Sequence, residues 1–272
     1  MEKIRLDNLL LTRGFANSRE KARAMILAGE VQVNGRQVDK PGISFSKEVS
    51  IKVNSNTQRY VSRGGLKLEK AIKVFGVDFT GKSVLDVGAS TGGYTDCALK
   101  HGAERVFAVD VGYGQLDWKL RNDPRVICLE KTNIRYLTPE QLGQEVDIVT
   151  IDVSFISTIL VFPVVKNLMK ADGSIISLIK PQFEAGRDKV GKKGVVRDGK
   201  VHTEVLLKCI AAAAKENLLC VAITFSPITG PQGNIEFFIH LCKERSQVEF
   251  DLDNMVTAVV AEAHQQLGGK GN

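Results

Sequence analysis

No stretch of this 272-residue chain is long and apolar enough to span a bilayer, so no membrane association is expected. The opening residues, MEKIRLDNLL, carry an acid at position two, with neither an uninterrupted apolar run nor a cleavage site, which argues against a secretory signal. Cysteine is scarce and oddly numbered. Cys97, Cys128, Cys209, Cys220 and Cys242 are all there are, and no two form a CxxC pair. That pattern supplies neither a zinc site nor a disulfide framework, so the expectation is incidental thiols, no metal, and a reducing, cytoplasmic setting. The dinucleotide fingerprint GxGxxG is missing too, because Ser90 stands where its second glycine would be.

The material present is ordinary for a globular protein, with 43% hydrophobic and 25% charged residues. The placement of charge is less ordinary. Residues 1–63 hold twelve Lys or Arg against six acids, which accounts for the whole formal net charge of +6 and leaves the rest of the chain neutral. A positive field confined to one end fits a module that binds a polyanion. Within it, Arg5 to Arg13 reads as a short helix, and Ser18 caps a second helix that Gly29 ends. Val31-Gln-Val33-Asn34-Gly35-Arg-Gln-Val38 carries the Asn-Gly signal of a two-residue hairpin. Val49, Ile51 and Val53 give one more strand, and Asn54 to Gln58 reads as a linker. The elements LDNLL, SREKARAMILAGEVQVNG and VDKPG resemble the αL RNA-binding motif of a small-subunit ribosomal protein, pseudouridine synthases and tyrosyl-tRNA synthetases. That resemblance implies docking on structured RNA, with Arg5, Arg13, Arg19, Arg23 and Arg36 as phosphate contacts.

From Ser83 onward strands alternate with helices. Apolar runs at Ser83–Val87, Arg105–Val109, Val126–Leu129, Asp147–Asp152 and Ser174–Ile179 read as five parallel strands. Leu219–Ser226 and Glu236–Cys242 follow with only a loop between them, hence antiparallel. Helices are expected through Lys100, over Ile159–Met169 and Val201–Glu216, and over residues 252–267. The predicted fold is therefore α/β, a Rossmann-like seven-stranded sheet of the methyltransferase type behind a small N-terminal α+β RNA-binding domain.

The turn after the first of these strands reads Asp86-Val87-Gly88-Ala89-Ser90-Thr91-Gly92-Gly93. Glycines there let backbone approach a ligand and let a helix start at once. Asp86 stands where a cofactor's positively charged amino-acid end would lie. Asp110, ending the second strand, is placed to hydrogen-bond a ribose diol and to disfavour a 2′-phosphate, and Asn133 is a neighbour for adenine. At the carboxyl edge of the sheet stand Asp152, Lys180 and Glu236, with Lys67 on the helix that leads in.

The segments VSRGGLKL, DVGASTGGYTD, DVSFIS, LIKPQFEAG and GVVRD resemble the TlyA (haemolysin A-like) family, whose catalytic half is FtsJ/RrmJ-like, and the likeness spans essentially the whole chain. Thr91 departs from the proline usual in FtsJ turns and agrees with the TlyA branch. The resemblance implies 2′-O-ribose methylation of ribosomal RNA, on cytidines, with S-adenosylmethionine as cofactor and ribosomal RNA or ribosomal subunits as partner. Its Lys-Asp-Lys-Glu tetrad falls on Lys67, Asp152, Lys180 and Glu236. Gly88, Ser90, Thr91, Gly92 and Gly93 join Asp86, Asp110, Asn133 and Asp152 around the cofactor. The chemistry suits those residue types, since a ribose hydroxyl is hardly ionised at neutral pH and an ammonium beside it stabilises the developing alkoxide. Pyrimidine C5 methylation would need a thiolate near the strand-four or strand-five loop, where no cysteine lies. Amino-group methylation typically uses Asp/Asn-Pro-Pro-aromatic, whereas Asp152-Val153-Ser154-Phe155 has no proline. The alternative is a haemolysin-like or RNA-binding protein without methyltransferase activity. The expected boundaries are 1–57 for the RNA-binding domain, 58–62 for a linker and 63–272 for the catalytic domain. The oligomeric state is left open.

Overall fold

In this computed structural model the described residues are 3–16, 18–27, 29–53, 59–191, 193–243 and 251–268, and the expected linker over Asn54–Gln58 lies outside them. The chain separates into two units, Met1–Arg63 and Gly64–Asn272.

In the first unit β1 (Lys3–Arg5) runs directly into α1 (Leu6–Thr12), followed by α2 (Arg19–Leu27). Leu6 and Leu10 lie one helical turn apart and so share a face, which packs with Ala22, Met25 and Ile26 of α2. The Ser18 Oγ accepts the Lys21 N–H at 3.1 Å and caps α2. β2 (Val31–Val33) and β3 (Arg36–Gln37) pair antiparallel through Asn34 and Gly35, whose φ angles of +51° and +78° are those of the two-residue turn that Asn-Gly favours. β4 (Ser44–Ser46) pairs with β1, and β5 (Ile51–Val53) with β2.

The second unit opens with α3 (Gly64–Phe75) and then builds the sheet: β6 (Ser83–Val87), α4 (Gly93–Lys100), β7 (Arg105–Val109), α5 (Trp118–Arg121), β8 (Val126–Leu129), α6 (Pro139–Leu142) and β9 (Val146–Ile151). After it come α7 (Phe162–Leu168), β10 (Met169–Ile179), α8 (Pro181–Glu184), α9 (Gly199–Lys215), β11 (Leu218–Phe225), β12 (Phe237–Lys243) and α10 (Leu252–Leu267). The strand order is β11-β12-β10-β9-β6-β7-β8. The five strands from β8 to β10 are parallel, and β12 runs antiparallel between β10 and β11. The chain leaves β6 toward β7 and β8, then returns to its other side for β9. That reversal opens a crevice at the carboxyl ends of β6 and its neighbours, where ligands of open α/β sheets bind.

Most boundaries fall within two residues of the sequence reading, and two differ by more. The helix expected from Ile159 begins at Phe162, because Pro163 suits a first helical turn and Thr158–Leu160 forms a 3-10 turn instead. The strand expected from Ser174 begins at Met169, which pairs with Val146 before an irregularity that ends at Ser174. The polar run Lys170–Gly173 hides this extension from a hydrophobicity pattern.

Candidate active site

Strand register brings the candidate residues of the second unit to one edge. Asp152 follows β9 directly, Lys180 follows β10, and Glu236 precedes the antiparallel β12, whose Phe237 stands opposite Ile179. α3 carries Lys67 toward the same edge, where its Nζ donates to Glu236 Oε2 at 2.6 Å. Lys180 Nζ lies 2.5 Å from Asp152 Oδ1 and donates to Ser154 Oγ at 2.9 Å. All four residues are therefore in two ion pairs. Lys180 is 8% exposed and Glu236 fully buried. Charges this enclosed are costly to desolvate and hold their place only when paired and hydrogen-bonded.

The glycine turn lies beside them. Gly88 has φ +85°, and a Cβ there would come within 2.5 Å of the Asp152 carbonyl oxygen. The turn is thus packed against the residue that carries the Asp152 carboxylate, and only glycine fits. The N–H groups of Gly88 and Ala89 both donate to the Val109 carbonyl, at 2.9 and 3.1 Å. Gly92, at φ +93°, leads into α4 with no side chain capping its first turn. Thr91 accepts the Asp117 N–H through its carbonyl, and Gly93 is the first residue of α4.

Asp110 accepts the Ser90 N–H on Oδ2 at 2.8 Å and the Gly112 N–H on Oδ1 at 2.7 Å, so it ties the turn to the end of β7. Asn133 caps a 3-10 turn by accepting the Arg135 N–H. The adjacent Thr132 N–H donates to the Asp110 carbonyl at 2.9 Å, which joins the β7 and β8 ends.

Asp86 is enclosed beneath the turn. Alternation along β6 turns its side chain away from the face of Leu85 and Val87, and its register partner on β9 is Thr150. Thr150 Oγ1 donates to Oδ1 at 3.1 Å and Thr95 Oγ1 to Oδ2 at 2.6 Å. Burial pushes the carboxyl up to about 7 against the lowering effect of those hydroxyls. Above the ordinary value of 3.8 the unfolded chain has released this proton, while the fold keeps it until about 7. Asp86 therefore lowers stability progressively as pH rises through that window. Asp86→Asn is expected to raise the melting temperature relative to wild type more at about pH 8 than at about pH 4. Equal differences at both would contradict the buried, protonated assignment.

Sequence reasoning passed over several groups at this edge. Ser154 receives Lys180, and Gln182 Nε2 faces Glu236 Oε1 at 3.5 Å. Buried Glu184 accepts Ser157 Oγ at 2.6 Å and the Thr158 N–H at 2.7 Å, bracing the segment after Asp152 against α8. All lie within or beside the motifs DVSFIS and LIKPQFEAG, whose inner residues carried no separate signal.

In the first unit, Asp7 is fully buried and gathers two of the candidate arginines. Arg5 donates to it at 3.1 and 2.8 Å, and Arg19 lies at 3.4 Å. The Arg5 hydrogen bonds are the largest influence holding the Asp7 carboxyl down at about 2. Arg13 donates to the carbonyls of Val49, at 2.7 Å, and Lys47. Arg23 and Arg36 are exposed. Three of the five arginines are thus held in fixed orientations with much of their surface open.

Residues 60–243 match the FtsJ-like methyltransferase family, and residues 4–45 match the S4 domain. A Bacillus subtilis protein that carries the name rRNA methyltransferase YqxC is 50% identical over 99% of this chain and 97% of its own length. The Mycobacterium tuberculosis 16S/23S rRNA (cytidine-2′-O)-methyltransferase TlyA is 44% identical over 87% of this chain and 89% of its own. A Streptococcus thermophilus protein of known structure that carries the name hemolysin superposes with a TM-score of 0.78, at 42% identity and 98% coverage of both chains. With an S4 domain in front and an FtsJ-like unit behind, the chain belongs to the TlyA (haemolysin A-like) family of FtsJ-like methyltransferases.

Proposed function

We propose that this chain methylates the 2′-hydroxyl of ribosomal RNA riboses, on cytidines, using S-adenosylmethionine. The observation that carries the proposal is the convergence of the Lys180–Asp152 and Lys67–Glu236 pairs on the sheet edge beside the glycine turn. The cytidine assignment draws on the name of the M. tuberculosis relative.

The chain's own groups suit the cofactor. The turn at Gly88–Gly92 admits no side chain at Gly88, α4 starts without a side-chain cap, and Asp110 holds two backbone N–H groups while each carboxylate oxygen keeps further accepting capacity. Gly88, Ser90, Thr91, Gly92 and Gly93 would line the amino-acid end, with Asp86 fixing the turn from beneath. Asp110 would take the ribose diol, Asn133 the adenine side, and Asp152 the boundary between cofactor and acceptor. When bound, S-adenosylmethionine supplies a methyl group made electrophilic by its sulphonium.

Lys180 steers the acceptor hydroxyl and stabilises negative charge as it develops on the 2′-oxygen. The hydroxyl proton would leave by way of the Lys180–Asp152 pair toward solvent as the oxygen–carbon bond forms and the methyl carbon's bond to the sulphonium sulphur breaks. Asp152 orients Lys180, and Glu236 orients Lys67, which completes the frame. Because methyl transfer is an in-line displacement, this fixed geometry supplies much of the acceleration. The arginines Arg5, Arg13, Arg19, Arg23 and Arg36 would dock the front unit on structured RNA. Among the described residues no helix is long and apolar enough to cross a membrane.

The test is transfer of labelled methyl from S-adenosylmethionine to purified ribosomal RNA, followed by nuclease digestion. Label recovered as 2′-O-methylcytidine is expected. Label on a base, or none, would overturn the proposal.

A further inference from the structure

The second unit is neutral as a whole, yet its charge is uneven. Residues 186–200, which lead from α8 into the first turn of α9, hold six Lys or Arg against two acids, so the remainder of the unit is net negative. A loop this basic could simply spread into solvent, but its backbone is fixed. Asn234, 2% exposed, accepts the Val196 N–H on Oδ1 at 3.1 Å and donates from Nδ2 to the Gly194 carbonyl at 2.9 Å. The Gly194 N–H donates to the Gly191 carbonyl at 2.8 Å, and the Gly191 N–H donates to the Val195 carbonyl at 3.1 Å, which closes a tight turn. Val195 and Val196 are buried, and His202 Nε2 lies 3.2 Å from the Val196 carbonyl.

This turn carries cations around one opening. Lys189, Lys193 and Arg197 line a cleft of about 450 Å³, together with Gly191, Val195 and Asp198. Lys193 and Arg197 are exposed, and neither forms an ion pair among the described residues. Lys189 pairs with Glu204 of α9. The one carboxylate in the lining, Asp198, is occupied in capping α9, where its Oδ1 accepts the Lys200 N–H at 2.9 Å. Cations held around an open cleft without acids to neutralise them suit an anion.

The cleft is tied to the tetrad from both sides. α8 starts directly after Lys180, and the loop follows α8. Asn234 stands two residues before Glu236, which sets their Cα atoms no more than about 7 Å apart. An RNA strand that presents its ribose to Lys180 must lay its neighbouring phosphates along this part of the unit, where the positive charge is gathered.

We propose that the cleft of Lys189, Lys193 and Arg197 binds the RNA phosphates that flank the acceptor nucleotide, a local grip that acts once the front unit has docked. The proposal rests on the ribose-methylation reading above. Asn234 is its positioning residue, because it fastens the basic turn to the segment that delivers Glu236. Phosphate contacts carry no sequence information, but they set register, and register decides which ribose reaches Lys180.

The experiment begins with wild-type transfer to ribosomal RNA and mapping of the modified nucleotide. No 2′-O-methyl product would overturn the ribose reading and the cleft's role with it. The intact chain and its double variant Lys193→Ala/Arg197→Ala are then compared by filter binding of ribosomal RNA across a salt series. The variant is expected to bind about tenfold more weakly at about 0.1 M salt and to flatten the slope of log K on log salt by about 1.4 to 1.8, two phosphate contacts being lost. In hydroxyl-radical footprints, the backbone protection that the variant loses is expected beside the methylated nucleotide. Arg105 opens β7 and Lys215 ends α9 just before β11, so both lie at the opposite edge of the sheet, and both are exposed. Arg105→Ala/Lys215→Ala removes the same charge and is expected to keep the wild-type affinity and slope. Product formation by wild type combined with an unchanged slope in Lys193→Ala/Arg197→Ala would overturn the cleft alone. So would an equal loss in Arg105→Ala/Lys215→Ala, or lost protection remote from the methylated nucleotide.

Discussion

Lys180→Ala is expected to abolish methyl transfer, with kcat down by at least 10²–10³-fold, the order seen when a group stabilising developing charge is lost. The Kd for S-adenosylmethionine and the affinity for RNA should stay within about threefold of wild type, because an ammonium held in a transition state contributes little to ground-state binding. Alanine supplies neither the charge that pairs with Asp152 nor the hydrogen bond that Lys180 makes to Ser154. Lys180→Arg should fail nearly as badly. A guanidinium is broad and planar, and the 8% exposure of Lys180 leaves no room for it to spread. Glu236→Ala should fail differently. It removes the partner of Lys67 from a fully buried position, and truncating one side of such a pair costs about 3–5 kcal/mol of stability. Its defect should therefore appear first in the melting curve, while Lys180→Ala should appear first in turnover. Single-turnover kinetics and thermal melts on the same preparations separate the two. A Lys180→Ala enzyme that turns over near the wild-type rate would remove the tetrad assignment.

Deleting residues 1–53 is expected to leave a unit that binds S-adenosylmethionine as before and no longer finds its RNA. The catalytic unit has its own sheet and core, while the front unit holds all of the net positive charge. Binding by the intact chain should fall steeply with salt, since each neutralised phosphate releases counterions. Five arginine contacts would give a slope of log K on log salt of about −3.5 to −4.5. Arg5 and Arg19 already lean on Asp7, so their side chains lose less freedom on binding than free ones would. Filter binding of ribosomal RNA across a salt series, for the intact and shortened chains, provides the check. Equal affinities and slopes for the two would locate the RNA contact elsewhere.

Much of this architecture is legible in the sequence because its signals are local. The buried runs of β6, β7 and β9 stand between turn residues, and the Leu252–Leu267 helix has the bounds its periodicity predicts. Asn34-Gly35 specifies its own turn. The pairing of β1 with β4 is silent by contrast, since three residues on each side carry no alternation that a pattern can register. The site divides along the same line. Residues at strand ends can be located from the strands alone, as Asp152 and Lys180 are. The environment of Asp86 depends on which β9 residue stands opposite it and on where α4 sets Thr95. Which lysine meets which acid, and that Gln182 faces Glu236, depends on packing between elements far apart in the chain.

The reaction proposed for this chain is transfer of a methyl group to a ribose oxygen of ribosomal RNA. Mapping 2′-O-methyl groups across both ribosomal RNAs, in cells that carry the intact chain and in cells that lack it, tests that most directly. The expected result is one or more cytidines methylated at the 2′-oxygen only when the chain is present, and not restored by a copy bearing Lys180→Ala. Identical ribose methylation in the two strains would contradict it, as would a difference confined to the bases.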